Sequence, residues 1–169
     1  AAFGGGFSLA LMADFVLATP RAQFCQVFAR IGLVPDMAAM HLLPRIVGLQ
    51  RAKELMFSAR VVEADEAQRL GIVLSLHAPE TLLDEALAFA GRFEGASPVA
   101  LGLTKNILNQ SFHLDRHALA ELESHAQGLC MDSAYHREAV RRFLAREPLA
   151  FQWQPPSSST SQGKHPCTD

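Results

Sequence analysis

The sequence predicts an α/β fold in which a small layer of strands and helices, residues 1–77, precedes an all-helical region, residues 78–151. In the first region, apolar runs of strand length alternate with segments of helical periodicity. In the second region, apolar residues recur only at helical spacing. Strand–helix units followed by a block of helices indicate an α/β layer with a helical addition. Residues 152–169 are rich in Pro and Ser and are expected to be disordered.

The first element is a glycine run, Gly4, Gly5 and Gly6, that leads into an apolar helical segment at 7–13. The N–H groups at a helix start have no intrahelical partner and lie at the positive end of the helix dipole, so this loop can hold an anion or a developing oxyanion. Such a loop normally follows a buried strand. Because only residues 1–3 precede it and no initiator Met is present, we expect the chain to be the C-terminal part of a longer protein.

Short strands and helices are expected to follow within the first region. Continuous apolar runs or polar–apolar alternation predict strands at 14–19, 22–26 and 72–76. Helical spacing predicts helices at 37–43, 49–57 and 63–70. Pro44 is expected to end the first of these helices, and Gly71 to stand just after the third.

Four helices are expected in the second region. Apolar stripes mark two of them, at 82–93 and 114–129. Ser97 before a proline predicts the N-cap of a helix that reaches residue 111. The last helix is expected over 133–146.

Composition limits the function classes. With 15 basic and 17 acidic residues, the net charge is −2, which disfavours nucleic-acid binding. The longest apolar run is too short to cross a bilayer and no signal peptide is evident, so a cytoplasmic location is expected. The three cysteines are few, widely spaced and odd in number, which favours free thiols. His113 and His117 are four residues apart, but no third ligand is apparent, so no metal site is expected.

Several segments, in order and with matching gaps, resemble the crotonase (enoyl-CoA hydratase/isomerase) superfamily. The resemblance covers nearly all of residues 1–151. Its segments are 3–14, 22–24, 31–36, 43–48, 71–73 and 137–139, with Ala52, Glu54, Leu55, Ala67, Lys105 and Phe143.

The resemblance implies a spiral of ββα units, followed by a helical C-terminal region for trimerisation. It also implies acyl-CoA thioester substrates, no separate cofactor, and a homotrimer or dimer of trimers. In this family two backbone N–H groups stabilise the enolate oxygen of the thioester. Gly5, between Gly4 and Gly6, matches one donor, and the other belongs to a segment upstream of this chain. Phe143 and Arg146 match positions that contact CoA across a subunit boundary. The alternative for Arg146 is a solvated surface charge that does not contact CoA.

The side chains favour isomerisation over hydration. Hydratases of the family use two glutamates, and the matching positions hold Ser8 and Phe28, neither of which can replace a carboxylate in proton transfer. Moving a double bond needs only one base. Asp36 stands where isomerases of the superfamily carry their acid/base, and Phe28 would form an apolar wall near it. The alternative for Asp36 is a helix N-cap, because it directly precedes a helical segment.

Three readings of the function therefore stay open. The leading one is a double-bond shift with Asp36 as proton shuttle. Other crotonase chemistry, such as hydration, thioester hydrolysis or dehalogenation, is the second, and a catalytically silent oligomer subunit is the third. One departure from the family pattern bears on substrate choice: residues 37–40, Met-Ala-Ala-Met, replace glycines often found there, and their bulk is expected to narrow the acyl pocket.

Overall fold

The computed structural model describes residues 1–153 and divides into two compact units, 1–88 and a second unit that begins at Phe89. The predicted disordered tail, 152–169, lies outside the described residues except for its first two positions. The indole ring of Trp153 packs against Phe93, with 5.4 Å between the ring centroids. Within the described part of the chain, no helix has both the length and the apolar content needed to cross a bilayer.

The strands of the first unit are two or three residues long and form two small sheets. They are β1 (Ala2–Phe3), β2 (Leu17–Ala18), β3 (Gln23–Cys25), β4 (Val62–Glu63) and β5 (Ser75–Leu76). Strands β2 and β5 are parallel, with Leu17 opposite Ser75, and both lie within predicted strands. In the other sheet β3 stands between β1, which is parallel to it, and β4, which is antiparallel.

Four α-helices and one 3₁₀ turn complete the first unit. Gly71 has φ +77° and stands directly after the C-cap of the fourth helix, as predicted. The prediction that Pro44 ends the second helix is wrong, because Pro44 lies inside it. The fully buried side chain of Leu43 before the proline, and Val47 after it, pack in the core and hold the helix on both sides. The elements are α1 (Gly5–Leu11), the 3₁₀ turn (Val27–Ile31), α2 (Ala39–Val47), α3 (Leu49–Ser58) and α4 (Ala64–Arg69).

The core of the first unit fixes helix α1 on strand β3. Phe7 of α1 and Phe24 of β3 are buried, and their ring centroids are 5.3 Å apart. The same cluster contains Leu11, Leu43 and Leu55 from three helices. This packing places the start of α1, and hence the glycine run, beside the segment that follows β3.

Helices α6 (Pro98–Gln110), α7 (Arg116–Met131) and α8 (Ala134–Leu144) form the second unit, and α5 (Leu82–Gly91) crosses the boundary between the units in sequence. The predicted N-cap at Ser97 is confirmed, since its hydroxyl oxygen accepts the N–H of Ala100 at 3.3 Å. Ser133 caps α8 in the same way. Serine side chains at the N-caps therefore fix where helices α6 and α8 begin.

Arg146 closes helix α8. Its φ is +57°, its N–H donates to Phe143 O, and the N–H of Glu147 donates to Arg142 O at 2.9 Å. These are the two hydrogen bonds of a Schellman motif, in which the residue after the C-cap adopts a left-handed conformation. The backbone of Arg146 thus has a structural role, whatever its guanidinium binds.

Candidate active site

The glycine run forms the start of helix α1. The N–H of Gly4 donates to Cys25 O at 2.8 Å, which continues the β1–β3 ladder into the loop. Gly4 has φ +54°, and a Cβ at this position would lie 3.3 Å from Val27, so glycine is required on both counts. Gly5 and Gly6 are the first two helical residues, and their N–H groups therefore have no intrahelical acceptor.

The surroundings of the three glycines differ. Gly4 is buried beneath Val27 and the ring of Phe28, whose edge would be 3.7 Å from a Cβ added to Gly4. Gly5 is half-buried beneath Met37, and a Cβ added to it would lie 3.1 Å from the Met37 sulfur. Gly6 is exposed, with open space at its Cα. The structure therefore brings Phe28 and Met37 to the start of α1 and leaves the Gly6 side open.

Ser8 is fully buried within the first turn of α1. Its hydroxyl donates to the carbonyl oxygen of Gly4 at 3.3 Å, so it satisfies a backbone acceptor of its own helix. This is the position at which the family resemblance implies a glutamate in hydratases. Here it offers neither a carboxylate nor a hydroxyl directed at solvent.

Asp36 is exposed in the loop that joins the 3₁₀ turn to α2. The N-cap interpretation of Asp36 is wrong. Helix α2 begins at Ala39, its N-cap is Ala38, and no side chain caps it. Asp36 contributes only its carbonyl oxygen to the local turn, accepting the N–H of Ala39 at 3.0 Å. Its carboxylate is thus not used to cap the helix, and it directly precedes the residue that covers Gly5.

Met37 and Ala38 both have left-handed backbone conformations, with φ of +49° and +61°. L-residues with a side chain adopt this region at a cost, which glycine avoids. The contact between Met37 and Gly5 was missed by sequence reasoning. The sequence did contain a signal for it. Residues 37–40 replace glycines often found in the family, and glycine at such positions indicates a backbone with unusual angles.

Two polar side chains at the end of β3, on Cys25 and the following Gln26, are buried. The Cys25 thiol donates to Ala59 O at 3.0 Å. Burial raises the pKa of this thiol, and nearby Arg30 partly offsets the rise, which favours an uncharged, structural cysteine. Gln26 is 1% exposed, and its amide has no hydrogen-bond partner among the described residues. No motif in the sequence predicts a role for Gln26.

The remaining predicted site residues, Phe143 and Arg146, belong to the second unit. Phe143 lies on the last turn of α8 and is 72% exposed, and Arg146 follows that helix. Their contact with CoA stays a prediction. Within residues 1–153, no three His, Cys, Asp or Glu side chains are grouped as a metal site would need.

Comparisons with a sequence-family model and with solved structures indicate the same family. The sequence model described as "Enoyl-CoA hydratase/isomerase" matches residues 1–155. The chain belongs to the enoyl-CoA hydratase/isomerase family. A crystal structure of an enoyl-CoA hydratase/isomerase from Cupriavidus metallidurans superposes with a TM-score of 0.87 and 46% identity, covering 93% of this chain and 59% of that one. The crotonase-like α/β fold expected from the sequence is thereby confirmed.

Curated relatives of this family member differ in their reactions. A crotonyl-CoA hydratase of Syntrophomonas wolfei is 35% identical over 150 residues, which are 89% of this chain and 58% of the relative. A 1,2-epoxyphenylacetyl-CoA isomerase of Escherichia coli is 34% identical over 150 residues, 89% of this chain and 57% of the relative. The chain thus spans under three fifths of the length of these relatives, which include both a hydratase and an isomerase.

Proposed function

We propose that this family member acts on enoyl-CoA thioesters and moves a double bond from the 3- to the 2-position. Asp36 removes a proton from C2, the electrons of that C–H bond spread into a dienolate, and Asp36 returns the proton at C4. The N–H of Gly5 donates to the thioester oxygen while it carries negative charge. The CoA thioester is the substrate, and no other cofactor takes part.

The observation that carries this proposal is the place of Asp36 in the chain. It directly precedes Met37, whose sulfur covers Gly5. The segment that carries the Asp36 carboxylate therefore packs against the helix start that carries the Gly5 N–H. The Asp36 carboxylate is exposed and does not cap α2. Phe28 adds an apolar wall at Gly4.

Hydration is the second candidate, because most of the similar curated proteins carry hydratase names. Against it, Ser8 is buried and bonded to Gly4 O, and Phe28 has no group that transfers a proton. A hydratase built on this chain would depend on Asp36 alone for both activating water and protonating carbon. The two reactions share the site and differ in whether water is added.

Asp36→Asn tests the proposal in the native gene product that contains this chain. Loss of the base is expected to lower kcat for conversion of a 3-enoyl-CoA to its 2-enoyl isomer by about 10²- to 10⁴-fold. Asp65→Asn, an exposed aspartate on α4, is the matched control and is expected to keep the rate. Hydration of crotonyl-CoA is measured on the same samples.

Each outcome has a distinct meaning. Hydration without isomerisation would replace the proposal by the second candidate. A covalent acyl group trapped on Asp36 would instead favour hydrolysis or dehalogenation. A protein that binds CoA thioesters with no turnover in either assay would be a silent family member.

We also propose that the protein assembles as a homotrimer or a dimer of trimers. Support comes from the second unit, whose helices expose large apolar side chains, including Leu108, Leu129, Phe143 and Leu144. A subunit interface that covers these side chains would remove their apolar area from water. Light scattering of the native gene product is expected to give three or six chains, and a concentration-independent monomer would contradict the assembly.

A further inference from the structure

We infer that Met37 determines which acyl groups the site accepts, by forming a wall beside the thioester carbonyl that excludes branching at the adjacent carbon. The inference rests on the proposed function, because it takes Gly5 as the donor to the thioester oxygen. Among the residues of the 36–40 segment, Met37 is the one whose side chain lies against the glycine run.

The contact itself is close. A Cβ added to Gly5 would be 3.1 Å from the Met37 sulfur, tighter than nearly all real contacts of a Cβ. Gly5 is half-buried, whereas its neighbour Gly6 has open space around its Cα. The Cβ side of Gly5 therefore faces the thioether, whereas the corresponding side of Gly6 is open.

The backbone conformation that places Met37 is costly. Met37 and the next residue, Ala38, are both left-handed, and such residues persist only where the surrounding structure holds them. Strained backbone of this kind clusters at ligand sites. Because Met37 is also 46% exposed, its side chain borders the space that a ligand would enter and is not part of the sealed core.

The position of the thioether sets the kind of selectivity. The carbon next to the carbonyl is two bonds from the oxygen that Gly5 would hold, so a substituent on that carbon is the first part of the acyl group to meet Met37. A linear chain can run away from the thioether, but a methyl branch at this carbon cannot avoid it. The site should therefore favour linear acyl groups over isomers branched at that carbon.

Butyryl-CoA and isobutyryl-CoA are suitable probes, since their acyl groups are isomers that differ only in this branch. Their Kd values are measured by calorimetry with the native gene product and with Met37→Ala. One misplaced methyl group in an apolar pocket changes affinity by about tenfold or more, so the native protein is expected to bind butyryl-CoA about tenfold more tightly. In Met37→Ala the two Kd values should approach each other.

Two further variants complete the test. Met12→Ala removes a half-exposed methionine at the opposite end of α1 and is expected to keep the native Kd ratio. Met37→Gly removes the same side chain but suits the left-handed φ, so it should fold even if Met37→Ala does not, and it should also lose the ratio.

The failure of this inference is separable from that of the proposed function. If both thioesters bind and the Kd ratio is the same in the native protein, Met37→Ala and Met37→Gly, the role of Met37 is wrong while thioester binding stands. If neither thioester binds the native protein, the proposed function fails and this inference fails with it.

Discussion

The two compact units differ in where their apolar residues are. In the first unit, buried apolar side chains run from Phe7 to Val73 and form one cluster. In the second unit, helices α6, α7 and α8 contain no buried residue over the described positions. Both units contain regular helices, but side-chain N-caps are present on α6, α7 and α8 and not on α1 to α4. Regular helices therefore do not require a closed core within the same unit, but their apolar faces then remain exposed to water.

The two units therefore gain their stability from different sources. The first unit gains folding free energy from its own buried cluster, although it also exposes large apolar side chains such as Ile31 and Phe57. The second unit gains less from burial within itself, and its exposed apolar side chains can gain more only by contact with another surface. Substitutions that are chemically identical should therefore act differently in the two units.

The largest contrast is expected between Leu43→Ala and Leu129→Ala. Leu43 is fully buried, so its truncation should lower the free energy of unfolding by about 2–5 kcal/mol. Leu129 is 62% exposed, so the same truncation should change that free energy by no more than about 0.5 kcal/mol. Urea denaturation followed by circular dichroism measures both values.

Equal losses in these two variants would show that Leu129 is buried in the native assembly. Denaturation at several protein concentrations identifies this case, because stability that comes from association rises with concentration. A small loss for Leu43→Ala would instead mean that the core around α2 is not formed as described.

A smaller contrast is expected between two arginine clusters. In the first unit Arg60 joins helices α3 and α4, with hydrogen bonds to Glu66 at 2.6 Å and to Glu54 at 3.1 Å. These bonds lower the pKa of both carboxyls below the ordinary value. All three side chains are about one third exposed, so after solvent screening we expect Arg60→Met to cost about 1 kcal/mol at neutral pH.

The pH dependence of that loss follows from the direction of the shifts. Because the folded-state pKa of each carboxyl is lowered, the stabilisation is complete above the ordinary pKa and disappears as the pH falls through the folded-state value. The difference in unfolding free energy between native protein and Arg60→Met should therefore shrink as the pH falls below about 4.5. A difference that stays constant down to pH 3 would show that Arg60 stabilises only by packing.

Arg141→Met in the second unit is the comparison for Arg60→Met. Hydrogen bonds from Arg141 and Arg142 lower the pKa of Glu138 to about 2, but these side chains lie in solvent. Salt screens such pairs, so Arg141→Met should have the smaller effect, and high salt should abolish it. Retention of the Arg60→Met loss in the same salt would complete the contrast.

Long periodic segments were predictable from the sequence, whereas the shortest strands were predictable only in part. Ser97 and a helix from it to residue 111 were predicted, and α6 spans 98–110, because capping chemistry and apolar spacing are local signals. Strands β1 and β4 were missed, since two residues show no periodicity and acquire their structure from pairing with β3. Pro44 was taken as a helix end, but burial of Leu43 outweighs the lost backbone hydrogen bond.

The candidate site was predictable as a set of segments but not as a geometry. The glycine run indicated a helix start with free N–H groups, and the structure has α1 begin at Gly5. Neighbours such as Met37 at Gly5 could not be predicted from the local preferences of Met and Ala, which do not favour the left-handed angles of residues 37 and 38. Contacts of this kind form only when the surrounding fold holds the backbone in a left-handed conformation.

The pairing of Leu17 with Ser75 also has a kinetic consequence. Strands β2 and β5 are far apart in the first unit's sequence, so their pairing closes a long loop and costs chain entropy. Helices α6, α7 and α8 instead pack on their neighbours in sequence. Because folding slows as contacts become more distant along the chain, helical signal from the second unit should precede closure of the first on refolding. The sheet of the unit that carries the candidate active site is thus expected to close after the helices of the second unit have formed.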